Sequence, residues 1–216
     1  STLVGVALGA FAGWRRGRRA DVGILALFIF LESLPSFWVG MMLVAIFAAG
    51  LKWFPVFGAV TPYGGLVGWE RVLDILHHLA LPLLTLTIVS ISGTFMITRY
   101  SMLGVLGEDY ILMARAKGLG ERVILFRHAM RNALLPVATV FIMNIGFLVS
   151  GATVVETVFS YPGIGRLMFE AVLGRDYPVM QATFLITTVS VVFMNLLADL
   201  VYPLLDPRVG RQSSQQ

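Results

Sequence analysis

Side chains able to do chemistry are few in this chain and poorly spaced for it. Its 216 residues hold three histidines, twelve acidic side chains and no cysteine. Without cysteine there is no disulfide, no thiol nucleophile and no thiolate metal site. His77 and His78 are adjacent, and successive helical residues point about 100° apart. They make a poor pair of ligands, and the remaining histidine, His128, is distant in sequence. No metal site built by this chain is expected. No nucleophile, base and orienting group fall into a recognisable set, so no catalytic residue is expected either. The chain also lacks the Gly-x-x-x-x-Gly-Lys pattern that cradles phosphates.

What the sequence does have is apolar length. It is 57% hydrophobic and 13% charged, against about 25% charge in an ordinary soluble domain. Its mean hydropathy is +0.84. Leu79 to Thr98, Ala133 to Val155 and Tyr177 to Ala198 carry no charge, and Val22 to Leu51 carries only Glu32. A helix needs roughly 20 apolar residues to cross a bilayer core, and amides in lipid must pair within their own segment. The composition therefore predicts an all-α polytopic membrane protein of about five helices. The first apolar piece, Ser1 to Trp14, is short, and it is expected to be the end of a helix that starts before this chain. Glu32, alone in its run, is a candidate for lining a translocation path, because an intramembrane carboxylate is functional by default. Pairing with a neighbouring helix, or reaching back to the interface, would explain it equally. Pro35 is expected to kink that helix.

The cations sort by loop. Four arginines lie between Trp14 and Ala20, six Lys/Arg between Arg99 and Arg131, and Arg208 and Arg211 in the tail. If each apolar run crosses once, these twelve share one face, and Lys52, Arg71, Arg166 and Arg175 share the other. Lys/Arg-rich loops stay cytoplasmic, which predicts a cytoplasmic C-terminus. The aromatics Trp53, Phe54, Phe57, Tyr63 and Trp69 in the first outer loop suit the headgroup belt.

The 99–132 loop is long for a connection between two helices. Glu108 and Asp109 precede an apolar run that closes on Arg115 and Lys117, the order that complements a helix dipole. Gly118 stands where a left-handed C-cap falls, and Glu121 opens a second helical pattern. The loop reads as helix, glycine turn, helix. Positive-inside charge on an amphipathic connector would account for the pattern as well. The 156–176 segment reads as a Tyr161-Pro162-Gly163 turn, then an apolar stripe at Ile164, Leu167, Met168, Ala171 and Val172, stopped at Gly174.

"EDYILMARAKGLGERVILFRHAMRNALLP" resembles the cytoplasmic loop signature of permease subunits in binding-protein-dependent ABC importers, and most closely the dipeptide, oligopeptide and nickel branch. "LPSFWVG", "HLALPLLTL", "VVETVFSYPGIGRLM" and "RDYPVMQA" agree with it in order along nearly the whole chain. Where the general signature has Glu-Ala-Ala this chain has Leu112, Met113 and Ala114. The resemblance implies a type I importer permease whose first helix of six is missing here. It implies a single transmembrane domain over 1–216, with 99–132 as the loop that docks on a cytoplasmic ATPase. Ala114, Arg115, Lys117, Gly118, Leu119, Glu121 and Arg122 would carry that coupling, with Ala114 small enough for close approach to the partner. The 156–176 segment becomes an extracytoplasmic loop over the path, in which Tyr161, Pro162 and Arg166 join Glu32 as candidate path or outer-gate residues. The implied partners are a homologous second permease, two ATP-binding subunits that hold ATP and Mg, and an extracytoplasmic substrate-binding protein. Membrane lipid surrounds the chain, and no cofactor or nucleic acid is implied for it. The implied location is a bacterial or archaeal plasma membrane and the implied cargo is peptides or a related small solute. An ion-coupled secondary transporter or channel subunit is the alternative; it would call for several midplane carboxylates or broken helices in matched halves.

Overall fold

The uncharged runs Leu79 to Thr98 and Tyr177 to Ala198 lie wholly within helices, as they must where no water can pair their amides. The fold comes from a computed structural model that describes residues 1–148 and 152–205. In chain order it forms α1 (Thr2–Trp14), α2 (Arg19–Glu32) and α3 (Ser36–Leu43), the last continuing as a π-helical stretch over Val44–Gly50. Then follow α4 (Trp69–Leu106), α5 (Asp109–Ala116) and α6 (Glu121–Val123), which runs through a second π-helical stretch, Ile124–Ala129, into α7 (Met130–Leu148). The order closes with α8 (Thr153–Val158), α9 (Ile164–Gly174) and α10 (Tyr177–Leu205). No strand occurs among the described residues.

Among the described residues two helices, α4 and α10, are long and apolar enough to cross a bilayer unbroken. Arg19–Glu32 with Ser36–Gly50 reaches that length only as a broken pair, and α1 is apolar but only 13 residues long. The expected kink at Pro35 is in fact a stop and a restart. Ser33 Oγ donates to the carbonyls of Ile29 and Phe30 at 2.9 and 2.8 Å and ends α2. Pro35, with no N–H to give, stands as the N-cap of α3. Glu32 is thus the last residue of α2 and exposed, and it does not sit within a continuous helix as expected.

By backbone contacts the chain divides into two compact units. The first comprises Ser1–Ser33, Ser90–Ile145 and the described residues from Met194 onward. In it α1 lies close against α4, and glycine makes that approach possible. A Cβ at Gly9 would stand 2.7 Å from the Phe95 carbonyl oxygen, and one at Gly13 would stand 2.7 Å from the Met102 Cβ. Phe28 stacks on Phe95 with ring centroids 4.2 Å apart. Beside them Arg99 Nε donates to Asp21 Oδ1 at 2.7 Å and Arg99 NH2 to Asp21 Oδ2 at 3.0 Å. The Gly17 N–H adds a third bond to that carboxylate at 2.9 Å. Arg99 was expected to open the long loop; it lies inside α4, which continues to Leu106.

The second unit comprises Leu34–Val89 and Gly146–Phe193. Its core gathers Ala48, Leu81, Val155 and Phe159, with Phe47, Phe54 and Tyr161 packed on it. The aromatic-rich stretch before α4 is tied down at three points. Thr61 donates through its N–H and Oγ1 to the two Asp74 carboxylate oxygens at 2.7 and 2.6 Å. His77 Nε2 lies 2.7 Å from the Trp53 carbonyl oxygen, and the Gly58 N–H donates to the Phe159 carbonyl at 3.0 Å. The stretch ends where α4 begins, at Trp69.

Candidate functional site

The glycine turn forms as the sequence suggests. α5 ends at Ala116, and Gly118 takes φ +72°, a left-handed conformation that glycine adopts without a Cβ clash. The Leu119 N–H donates to the Ala114 carbonyl at 3.2 Å and the Gly118 N–H to the Arg115 carbonyl at 2.9 Å. Those two bonds are the Schellman pair, and they satisfy carbonyls the helix would otherwise leave open. Gly120 then caps α6, accepting from the Val123 N–H at 2.9 Å. The expected second short helix is not separate. From Glu121 the chain stays helical through the π stretch to Leu148, so the turn is fixed directly to a long helix.

The segment is anchored from beneath. Ile111, Ala114, Ile124 and Ala129 are buried with Met102 and Ala10 in one apolar cluster. Asn132 Nδ2 donates to the Tyr110 hydroxyl at 2.7 Å, and the Arg115 guanidinium stands 6.0 Å from the Trp14 ring centre. Ala114 is 5% exposed, so its small side chain serves close packing inside this chain and is not presented to a partner as expected. The outward side chains are Arg115, Lys117, Leu119, Glu121 and Arg122, together with Leu112 and Met113. Leu112 and Met113, which depart from the general signature, are among the most exposed apolar side chains here, at 55% and 62%. Arg115 Nε and Glu121 Oε1 lie 3.7 Å apart across the turn, both well exposed; such a surface pair is worth little energy.

The second candidate segment is organised by a residue that the pattern alone did not single out. Glu156, in α8, accepts from the Ala152 N–H at 2.9 Å and from the Arg166 N–H at 2.8 Å. Its carboxylate fills the space where a Gly163 side chain would be, so any side chain there would displace it. Gly165 is likewise pressed on the Thr153 backbone. The Tyr161 N–H donates to the Glu156 carbonyl at 2.8 Å, and Tyr161 packs on the core while Pro162 is exposed. The side chain of Arg166 is occupied along its own helix, donating to Glu170 Oε1 at 2.6 Å. Gly174 is not the stop. It is the last residue of α9, and Arg175 takes the left-handed conformation at φ 53°. Of the expected apolar stripe only Ala171 is buried; Ile164, Leu167 and Val172 are exposed.

Glu32 stands apart from both segments in sequence and is brought to neither by any bond among the described residues. His77 and His78 take separate backbone partners, the carbonyls of Trp53 and Asp74. No group of three or more His, Asp or Glu side chains with metal-binding spacing occurs among the described residues.

A polytopic helical membrane protein that holds a stiff, glycine-turned segment outside its apolar helices is the class this geometry defines. The chain belongs to the family of binding-protein-dependent transport system inner membrane components, which matches residues 5–211. It is 39% identical over 207 residues to the oligopeptide transport system permease protein AppB of Bacillus subtilis (strain 168), covering 96% of this chain and 64% of that protein. It is 37% identical over 222 residues to the di/tripeptide transport system permease protein DppB of Pseudomonas aeruginosa (strain UCBPP-PA14), covering 96% and 66%. Against the dipeptide transport system permease protein DppB of Escherichia coli (strain K12) it is 37% identical over 226 residues, covering 97% and 67%. The chain therefore spans slightly less than two thirds of the first two relatives.

Proposed function

We propose that this chain is the membrane-spanning permease part of an ATP-driven importer for peptides or a related small solute. The cargo class rests on the relatives named above, whose names specify oligopeptide, di/tripeptide and dipeptide transport. The observation that carries the reading is the segment from Asp109 to Arg122. It is rigidly turned at Gly118, fixed to α7 and buried on one face, and it presents Leu112, Met113 and Leu119 within a rim of charges. Apolar anchors inside a charged rim suit a protein partner: the anchors supply affinity, and the charges set register. The partner is a cytoplasmic ATPase, two copies of which bind ATP and Mg. Closure of the ATPase pair pushes the turn, and α7 carries the push into the membrane. A homologous second permease completes the path, and a substrate-binding protein delivers cargo at the extracytoplasmic 156–176 segment. On this reading the 99–132 face and the C-terminus are cytoplasmic and the membrane is a bacterial or archaeal plasma membrane; the tail arginines behind that orientation fall outside the described residues.

The test is Gly118→Val in the assembled complex. A β-branched residue at φ +72° costs about 1–2 kcal/mol in the left-handed region and distorts the turn. ATP hydrolysis should persist while uptake of a radiolabelled dipeptide per ATP falls by about tenfold, a difference of about 1.4 kcal/mol in coupling. Normal uptake per ATP would remove Gly118 from the coupling role. Uptake by the unaltered complex that follows an ion gradient and ignores ATP would remove the importer reading altogether.

A further inference from the structure

Arg15, Arg16, Arg18 and Arg19 lie within five residues, from the end of α1 to the first residue of α2, and all four are exposed. The carboxylate nearest in sequence forms its ion pair elsewhere, with Arg99. Asp21 is 2% exposed and turned inward, both its oxygens bound by Arg99 and one also by the Gly17 N–H. None of the four arginines forms an ion pair among the described residues. Arg15 lies back along α1, its guanidinium 4.7 Å from the Phe11 ring centre. That posture places a cation at the edge of an apolar helix. Gly17, at φ +76° with open space around its Cα, lets the loop turn without side-chain bulk. The result is a small, strongly positive surface at the junction of two apolar helices.

We propose that residues 15–19 form a binding site for the headgroup of an anionic phospholipid. Guanidinium groups match phosphate oxygens in pairs, and a basic cluster at the end of a membrane helix attracts anionic lipid with about 1 kcal/mol for each cation. Arg115 stands over Trp14, the residue just before the cluster, so a lipid bound here sits next to the glycine-turned segment. The site is independent of the importer reading, because it requires only that α1 and α2 lie in a bilayer.

The full chain, reconstituted in vesicles of equal parts phosphatidylcholine and phosphatidylglycerol, is gently re-extracted and its bound phospholipid measured by native mass spectrometry. Retained lipid should be enriched in phosphatidylglycerol. Arg16→Gln with Arg18→Gln should reduce that enrichment by about fivefold for each charge removed. Arg16→Lys with Arg18→Lys should keep most of it, and Lys52→Gln with Arg71→Gln should keep it all. Equal retention of the two lipids by the unaltered protein overturns the proposal, as does a preference that survives in the neutral pair. Displacement of the lipid by inorganic phosphate at equal concentration would also overturn it, because the site would then read a free anion. Should the neutral pair fail to accumulate in membranes, Arg16→Gln and Arg18→Gln are read singly by the same criteria, with the lysine pair as the folding control.

Discussion

Arg175 shows how a single residue can be placed against its own preference. It holds a left-handed conformation at the end of α9 although Gly174, the better residue for it, is adjacent. The helix includes that glycine, and the turn falls one residue later, where the Asp176 N–H donates to the Ala171 carbonyl at 2.9 Å. Asp176 is then free to cap α10, accepting from the Val179 N–H at 3.2 Å. The left-handed strain at a side-chain-bearing residue is about 1 kcal/mol. Arg175→Gly should therefore raise stability by up to about 1 kcal/mol, read as a higher midpoint of thermal unfolding in detergent. An unchanged or lower midpoint would mean that the Arg175 side chain contributes as much as its backbone costs.

At the scale of elements, the close contact of α1 with α4 depends on the absence of a side chain. α1 approaches α4 through Gly9, where a Cβ would meet the Phe95 carbonyl oxygen and the Thr98 Cβ at 2.7 and 2.8 Å. Gly23, in α2, has nothing within 4 Å of the same construction. Gly9→Ala should cost about 1–3 kcal/mol through overpacking, whereas Gly23→Ala should be neutral or slightly stabilising, since alanine is the better helix former. Thermal unfolding of the two variants side by side separates them, and equal midpoints would contradict the close approach of α1. In the second unit the α8–α9 pair depends on Glu156. Glu156→Ala removes the acceptor for two backbone N–H groups and should cost about 3 kcal/mol or more, since hydrogen bonds to a charged group are worth about 1.5–3 kcal/mol each. Limited proteolysis should then cut between Phe159 and Gly163 earlier than in the unaltered chain. A protection pattern identical to that of the unaltered chain would show that the core contacts of Tyr161 hold the pair without Glu156.

For the molecule as a whole, the dominant fact is how little apolar surface the chain covers by itself. The most apolar window of α10 is 6% buried and that of α4 28% buried. Phe184, Val189, Val192 and Phe193 are each more than half exposed. In water such a surface would aggregate; a helix that pairs all its own amides can instead present it to lipid. Val189→Arg should then cost about 2.5–3.5 kcal/mol of insertion free energy, the usual penalty for arginine near a helix centre. A glycosylation-site reporter downstream should show reduced spanning by α10. Full insertion of that variant would place Val189 away from lipid, against another protein surface or a wet path.

The sequence alone determined the helical class, the apolar runs, the membrane setting and the glycine turn at Gly118. Each follows from local rules: an uncharged stretch of sufficient length must pair its own amides, and a glycine after a helix closing in cations ends it. The turn needed no distant residue, so it could be read directly. It took the folded chain to show that Arg99 belongs to α4 and binds Asp21, 78 positions away in sequence. The fold likewise decided that Ala114 packs inward and that Glu156 reaches across a turn to the N–H of Arg166. Which face of a short amphipathic helix is buried, and which carboxylate meets which donor, depends on chain segments far apart in sequence, and no period of 3.6 residues encodes that. The break at Pro35 lies between these cases. Proline marked the place, but whether the helix bent or stopped was settled by Ser33 closing the last turn of α2.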